Sequence, residues 1–174
     1  MLPISTVLFI TGTPGAGKST VGNLIAEKLP HAAHIQVDFF RKMVRGGYAS
    51  PHHWNDEAER QYRLARQNAA ATAKNLASAG FLPIIDDIMG RDWEAEWQSL
   101  LRGLDLRVVL LRPSLASALE RNRVRSIWTV DEAVLTYVHD MLGEEYAQNW
   151  LQIDNSEGTA EIAAERIMNA LGLQ

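Results

Sequence analysis

A chain of 174 residues, 47% hydrophobic and 22% charged, is long enough for one domain that buries roughly 70% of its unfolded surface and needs no disulfide or structural metal. It has no Cys, which excludes disulfides and thiolate-bound zinc. Its 17 basic and 21 acidic side chains leave a net charge of −4, and with no block of like charges this argues against long nucleic acid as a partner. The longest apolar runs, such as Val7 to Ile10 and Val108 to Leu111, are too short to span a bilayer, and the first residues lack the charged and apolar regions of a signal peptide. No membrane partner and a cytoplasmic location are therefore expected.

In chain order, Val7-Leu8-Phe9-Ile10-Thr11 is a β-rich run ending at Gly12, and Val21, Leu24, Ile25, Ala26 and Leu29 give the helical stripe that follows, closed by Pro30. A second strand, about Ala33 to Val37, leads to Asp38 and a helix over Phe39 to Val44, with Gly46-Gly47 as breaker. From Asn55 to Ala79 a long helix carries Ala58, Tyr62, Ala65, Ala69, Ala73 and Leu76 along one face, and Gly80 ends it. Phe81 to Asp87 reads as a buried strand with Pro83 as its first residue, followed by a helix over Arg91 to Arg102 and a strand over Leu104 to Leu111. Ser114 to Arg125 is helical, Thr129 with Glu132 has capping-box spacing for a helix reaching Gln148, Trp150 to Ile153 is a last strand, and Glu157 to Leu171 a last helix. Five strands alternating with helices imply an α/β fold, a parallel sheet covered on both faces, in a single domain over residues 1–174.

The most specific signal is Gly12-Thr13-Pro14-Gly15-Ala16-Gly17-Lys18-Ser19, which fits G-x-x-x-x-G-K-[ST] between a strand and a helix. Such a loop turns its backbone N–H groups around a phosphate, the helix start adds a positive dipole end, Lys18 adds a mobile charge for the β and γ phosphates, and Ser19 offers a hydroxyl to Mg²⁺. Thr20 either contacts the α phosphate or serves as an ordinary helix residue.

Ile84-Ile85-Asp86-Asp87 is an apolar strand ending in two carboxylates, the arrangement that holds magnesium directly or through water. Adjacent strand residues face opposite sides, so Asp86 is expected at the metal and Asp87 at the substrate or capping the next turn. Asp38, at the sheet edge where the phosphate loop lies, is placed to take a proton from a substrate hydroxyl or to cap its helix. Arg41, one turn later, is expected to hold a polar or anionic substrate group or to be a solvated charge. Arg121, Arg123 and Arg125 form the densest basic cluster; Arg121 and Arg125 share a face and are expected to close over the transferring phosphoryl group as part of a lid near residues 121–130, unless the cluster is a solvated helix face. Trp93 and Trp97 share a helix face and suggest packing, whereas Trp54 and Trp128 lie in loops beside the cleft. No histidine pair has transition-metal spacing.

These residues resemble the small P-loop kinases, in particular the chloramphenicol phosphotransferase-like branch of the AAA-type ATPase and kinase group. The likeness rests on Gly12 to Thr20, Val37-Asp38, Gly80-Phe81 with Ile84 to Ile88, Leu104 to Val108, and Leu151-Gln152-Ile153-Asp154-Asn155. It implies a P-loop NTPase fold with strand order 2-3-1-4-5, ATP with Mg²⁺, and γ-phosphoryl transfer to a small-molecule hydroxyl. It further implies that Asp38 is the catalytic base, that the 121–125 arginines form the lid, and that Asn155 lies beside adenine. Arg41 to Trp54 shows no match to the antibiotic kinase, which points to an acceptor other than chloramphenicol. Gluconate-, shikimate- or nucleoside-type kinases and a non-catalytic ATP-binding protein are the alternatives; the chain has no Asn-Lys-x-Asp segment for guanine, and its acidic charge counts against a polynucleotide kinase.

Overall fold

The structure, a computed structural model, describes residues 5–50, 53–124, 129–143 and 146–173. Strands β1 (Thr6–Gly12), β2 (Ala32–Gln36), β3 (Leu82–Asp86), β4 (Asp105–Leu111) and β5 (Leu151–Ile153) form one sheet in the order β2-β3-β1-β4-β5. Every neighbouring pair is parallel. The helices are α1 (Lys18–Lys28), α2 (Val37–Lys42), α3 (Asp56–Ser78), α4 (Arg91–Leu100), α5 (Leu115–Arg123), α6 (Glu132–Met141) and α7 (Ala160–Leu171).

Alternation along β1 divides the core in two. Val7 and Phe9 join Ile35, Ile85, Trp97 and the α3 alanines on one face. Leu8 and Ile10 join Val21, Ile25, Ile84, Val109 and Ile167 on the other, beneath α1 and α7. Small side chains at Ala65, Ala69 and Ala73, all nearly inaccessible, let the long α3 lie close against the sheet. Its start is fixed by Asn55, whose side chain accepts from the Ala58 N–H at 2.9 Å, a cap worth about 1 kcal/mol. Trp97 on α4 is fully buried and meets Phe9 edge-on, ring centroids 4.9 Å apart, the geometry that aromatic quadrupoles prefer. No helix among the described residues is long and apolar enough to cross a membrane.

Several expected boundaries shift. β2 stops at Gln36 and Val37 already begins α2, so Asp38 stands in the first helical turn rather than at a strand end or cap. Pro83 is the second residue of β3, paired with Ala33 of β2. Leu82 N–H donates to His31 in the β2 direction and Asp87 N–H to Ile10 of β1, so the donor that proline lacks faces β1, before the first β1–β3 pair at Leu8 and Ile84. The ladder loses nothing there. Asp131, not Thr129, caps α6, accepting from Ala133 N at 2.9 Å, and Glu132 instead pairs with Arg123. α6 ends at Met141 rather than near Gln148, and α7 begins at Ala160 rather than Glu157.

Candidate functional site

β1 ends where its backbone leaves the sheet, and the loop from Gly12 to Gly17 returns the chain into α1. Gly12 and Gly15 are required by contact as well as by φ: a Cβ would lie 2.5 Å from the Leu111 carbonyl at the first (φ +155°) and 2.6 Å from that of Ala118 at the second (φ +85°). The loop therefore packs directly on the end of β4 and on α5. Ala16 N–H donates to Thr13 O at 3.0 Å and Val21 N–H to Gly17 O at 2.9 Å, while Thr13 Oγ1 donates to the Leu135 carbonyl of α6 at 3.2 Å. Lys18 Nζ folds over the loop, donating to Gly12 O at 2.8 Å and Thr13 O at 3.2 Å. Pro14 lies in the turn itself, and Ser19 and Thr20 occupy the first turn of α1, whose N–H dipoles and N-terminal position favour an anion.

Beyond Lys18, the wall formed by α2, α3 and the end of β3 carries charge. Asp38, its side chain 58% exposed, accepts from Arg41 Nη2 at 3.4 Å. Arg41 is buried rather than solvated; its Nη1 donates to the Tyr48 hydroxyl at 2.6 Å and its guanidinium lies 4.5 Å from the Tyr62 ring centre, within cation–π range. Asp87, just past β3 and partly buried, has its carboxyl pushed up to about 7, by burial first and by Asp38, against the Ile88 backbone hydrogen bond, Arg66 and Lys18. Burial likewise raises the Tyr62 phenol, with Arg41 opposing and Asp38, Asp87 and Tyr48 adding. Arg41 thus joins Asp38, Tyr48 and Tyr62 in one contact group. Trp54, Tyr62 and Trp93 extend the wall as a ring cluster, with centroids 5.1 to 6.5 Å apart.

Asp86 faces the other side of β3. Its Oδ2 accepts from His34 Nε2 at 2.6 Å, and Oδ1 stands outside that contact. On the flank of the phosphate loop, a cavity of about 220 Å³ is lined by Ala16, Gly17, Thr20, Arg121, Asn155 and Thr159, among others. Asn155 Nδ2 donates to Ala16 O at 2.8 Å, and its Oδ1 is buried with no hydrogen-bond partner, an acceptor suited to an exocyclic amine. A larger cavity of about 350 Å³ beside β4 and β5, among Glu94, Gln98, Arg107 and Trp150, is lined by none of the expected site residues.

Two of the three clustered arginines lie among the described residues. Arg121 Nη2 donates to the carbonyls of Asn155 at 2.6 Å and Ser156 at 3.2 Å, so its guanidinium braces the cavity that it lines together with Ala16 and Gly17 of the loop. Arg123 pairs with Glu132 at 2.8 Å. Arg125 and Trp128 lie outside the described residues, as does the middle of the expected lid.

Sequence reasoning missed Arg66 and His34. Arg66 is fully buried, held by Glu96 at 2.7 Å and Glu59 at 3.2 Å and stacked 5.0 Å over Trp93. The signal was present: a cation at the helical phase of Ala69, Ala70 and Ala73 points inward. His34 carries no such signal, since its partner lies 52 residues away on another strand.

The sequence matches the model of the AAA domain family over residues 7–143. No curated protein matches it significantly. Among solved structures, the tunicamycin resistance protein of Deinococcus radiodurans is similar over 98% of this chain and 97% of its own, at 21% identity and TM-score 0.70. A shikimate kinase from Acinetobacter baumannii, solved with shikimate, covers 95% and 92% at 21% identity and TM-score 0.69. A gluconokinase from Sinorhizobium meliloti covers 99% of each at 20% identity and TM-score 0.60. At these identities the likeness is one of fold, that of the P-loop kinases.

Proposed function

This chain belongs to the AAA domain family, and on that premise we propose that it is a cytoplasmic ATP-dependent phosphotransferase that moves the γ-phosphate to a hydroxyl of a small molecule. The observation that carries this reading is the juxtaposition of an anion-binding loop with two carboxylates at one edge of the parallel sheet: the loop follows β1, Asp38 lies in the first turn of α2 just past β2, and Asp87 follows the end of β3, where a phosphate and an acceptor would meet.

Gly12 to Thr20 would cradle the phosphates. The buried, unpartnered Asn155 Oδ1 fits the amino group of adenine, with Arg121 fixing that wall. Ser19 and the Asp86 oxygen outside the His34 contact fit a hydrated Mg²⁺, which when bound supplies charge neutralisation to the phosphates. Asp38 accepts the hydroxyl proton as the acceptor oxygen bonds the γ phosphorus and the bond from that phosphorus to the bridging oxygen of ATP breaks, leaving ADP. Lys18 balances the charge spread over the transferring group. Arg41 holds Asp38, and Asp87, with its carboxyl raised to about 7, can donate or accept a hydrogen bond to the acceptor near neutral pH.

The test is to incubate the protein with labelled ATP, Mg²⁺ and a panel of antibiotics, sugars, nucleosides and hydroxy acids, and to look by mass for a product that gains one phosphate. Such a product establishes the activity and names its acceptor. Nucleotide binding with no transfer to any class would count for a non-catalytic ATP-binding protein.

A further inference from the structure

We propose that His34 is a positioning residue for the magnesium carboxylate: by occupying one oxygen of Asp86 it fixes the other for the metal's water shell. The inference rests on the kinase reading above and concerns residues which that reading leaves without a role.

β2 and β3 pair with Gln36 opposite Asp86 and His34 opposite Ile84. His34 and Asp86 are thus diagonal neighbours on one face of the sheet, within reach of a long side chain. The imidazole Nε2 donates to Asp86 Oδ2 at 2.6 Å, and the two side chains are only 7% and 9% exposed. A carboxylate gripped at one oxygen inside packed protein cannot rotate freely, so the position of Oδ1 is set before any ligand arrives. The His34 contact engages Oδ2 alone and leaves Oδ1 outside it.

Helix α1 makes room for this pair. A Cβ on Gly22 would stand 2.7 Å from His34 Nε2 and 2.9 Å from its Cδ2, so any larger residue would displace the ring. Glycine is a poor residue for a helix interior, and here it is what allows the imidazole to sit against α1. Gly22 lies three residues after Ser19, on the same helical face. Gly22 thus brings α1, the helix that carries Ser19, against the His34–Asp86 pair. A pair that only sealed the core would leave the metal indifferent to its loss; outer partners of metal-binding carboxylates instead tune affinity by about 10- to 100-fold.

The experiment measures Mn²⁺ binding by electron paramagnetic resonance to the full chain saturated with a non-hydrolysable ATP analogue, and in parallel the affinity for the analogue without metal. His34→Leu, which fills the space without a donor, is expected to weaken Mn²⁺ at least about 10-fold while leaving metal-free nucleotide affinity unchanged. His34→Gln, whose amide Nε2 can donate in place of the ring, is expected to recover most of that loss. Gly22→Ala, which pushes the ring aside without altering either partner, should reproduce it, so the comparison survives if one variant fails to fold. Mn²⁺ affinity equal to wild type in folded His34→Leu and Gly22→Ala overturns the positioning role and leaves the kinase reading standing. Absence of nucleotide-dependent Mn²⁺ binding in the wild type overturns both.

Discussion

Asp38 has a mostly exposed side chain and takes a hydrogen bond from Arg41, so neutralising it should disturb chemistry more than structure. Asp38→Asn is expected to bind ATP as wild type does and to transfer phosphate about 10² to 10⁴-fold more slowly, whereas Lys18→Ala should abolish nucleotide turnover; steady-state kinetics beside calorimetric nucleotide binding checks both. Asp87 adds a pH signature. Its carboxyl is raised from 3.8 to about 7 by burial, so the folded state holds this proton more tightly than the unfolded chain does. The associated stability is full below about pH 4 and is lost as pH rises through about 7, a difference of at most about 4 kcal/mol. Asp87→Asn is expected to flatten that fall, as measured by urea unfolding at about pH 5 and about pH 8. Lys18 could be found in the sequence because it sits at a fixed offset in the loop motif, and Asp38 because it follows the second apolar run, although β2 stops at Gln36 and Asp38 stands in the first turn of α2. The inward Arg66 needed the α3 periodicity to be read for its exception, and the His34–Asp86 pair could not be found at all, since it exists only once β2 lies beside β3.

Among the elements, α3 shows how narrow the tolerance is. Its buried alanines leave no space against the sheet, and Ala69 is fully inaccessible. Ala69→Leu is expected to destabilise the fold by about 1 to 3 kcal/mol, visible as a lower urea midpoint, with the slope unchanged. The five strands and seven helices of the described residues were legible, the strands as short apolar runs rich in β-formers and bounded by turn residues, the helices from a period of 3.6 with their caps and breakers. Ends were less so. Val37 has a strand former's side chain yet opens α2, where its burial against Ile35 and the α3 alanines outweighs propensity. At α6 two capping residues competed, and Asp131 won because its carboxylate reaches the Ala133 and Val134 N–H groups, closer to the helix than Thr129 can stand.

At the scale of the whole molecule, the strand order puts β1 at the centre, with every residue buried, and delivers the phosphate loop, the start of α2 and the end of β3 to one edge. Ligand binding at that edge should stabilise the entire fold. ATP with Mg²⁺ at a hundred-fold excess over Kd adds about 2.7 kcal/mol, or roughly 5 to 10 °C in melting temperature for a chain of this length; Lys18→Ala should show little of that shift in a thermal melt. The ring cluster of Trp54, Tyr62 and Trp93 has a further use. Trp54 is half exposed, lies 6.3 Å from Trp93, and shares Tyr62 with the Arg41 guanidinium that steadies Asp38. A molecule settling beside Asp38 would change the water and the charge around these indoles and so shift the protein's ultraviolet emission. The acceptor can thus be sought by intrinsic fluorescence alone, with no label and no turnover.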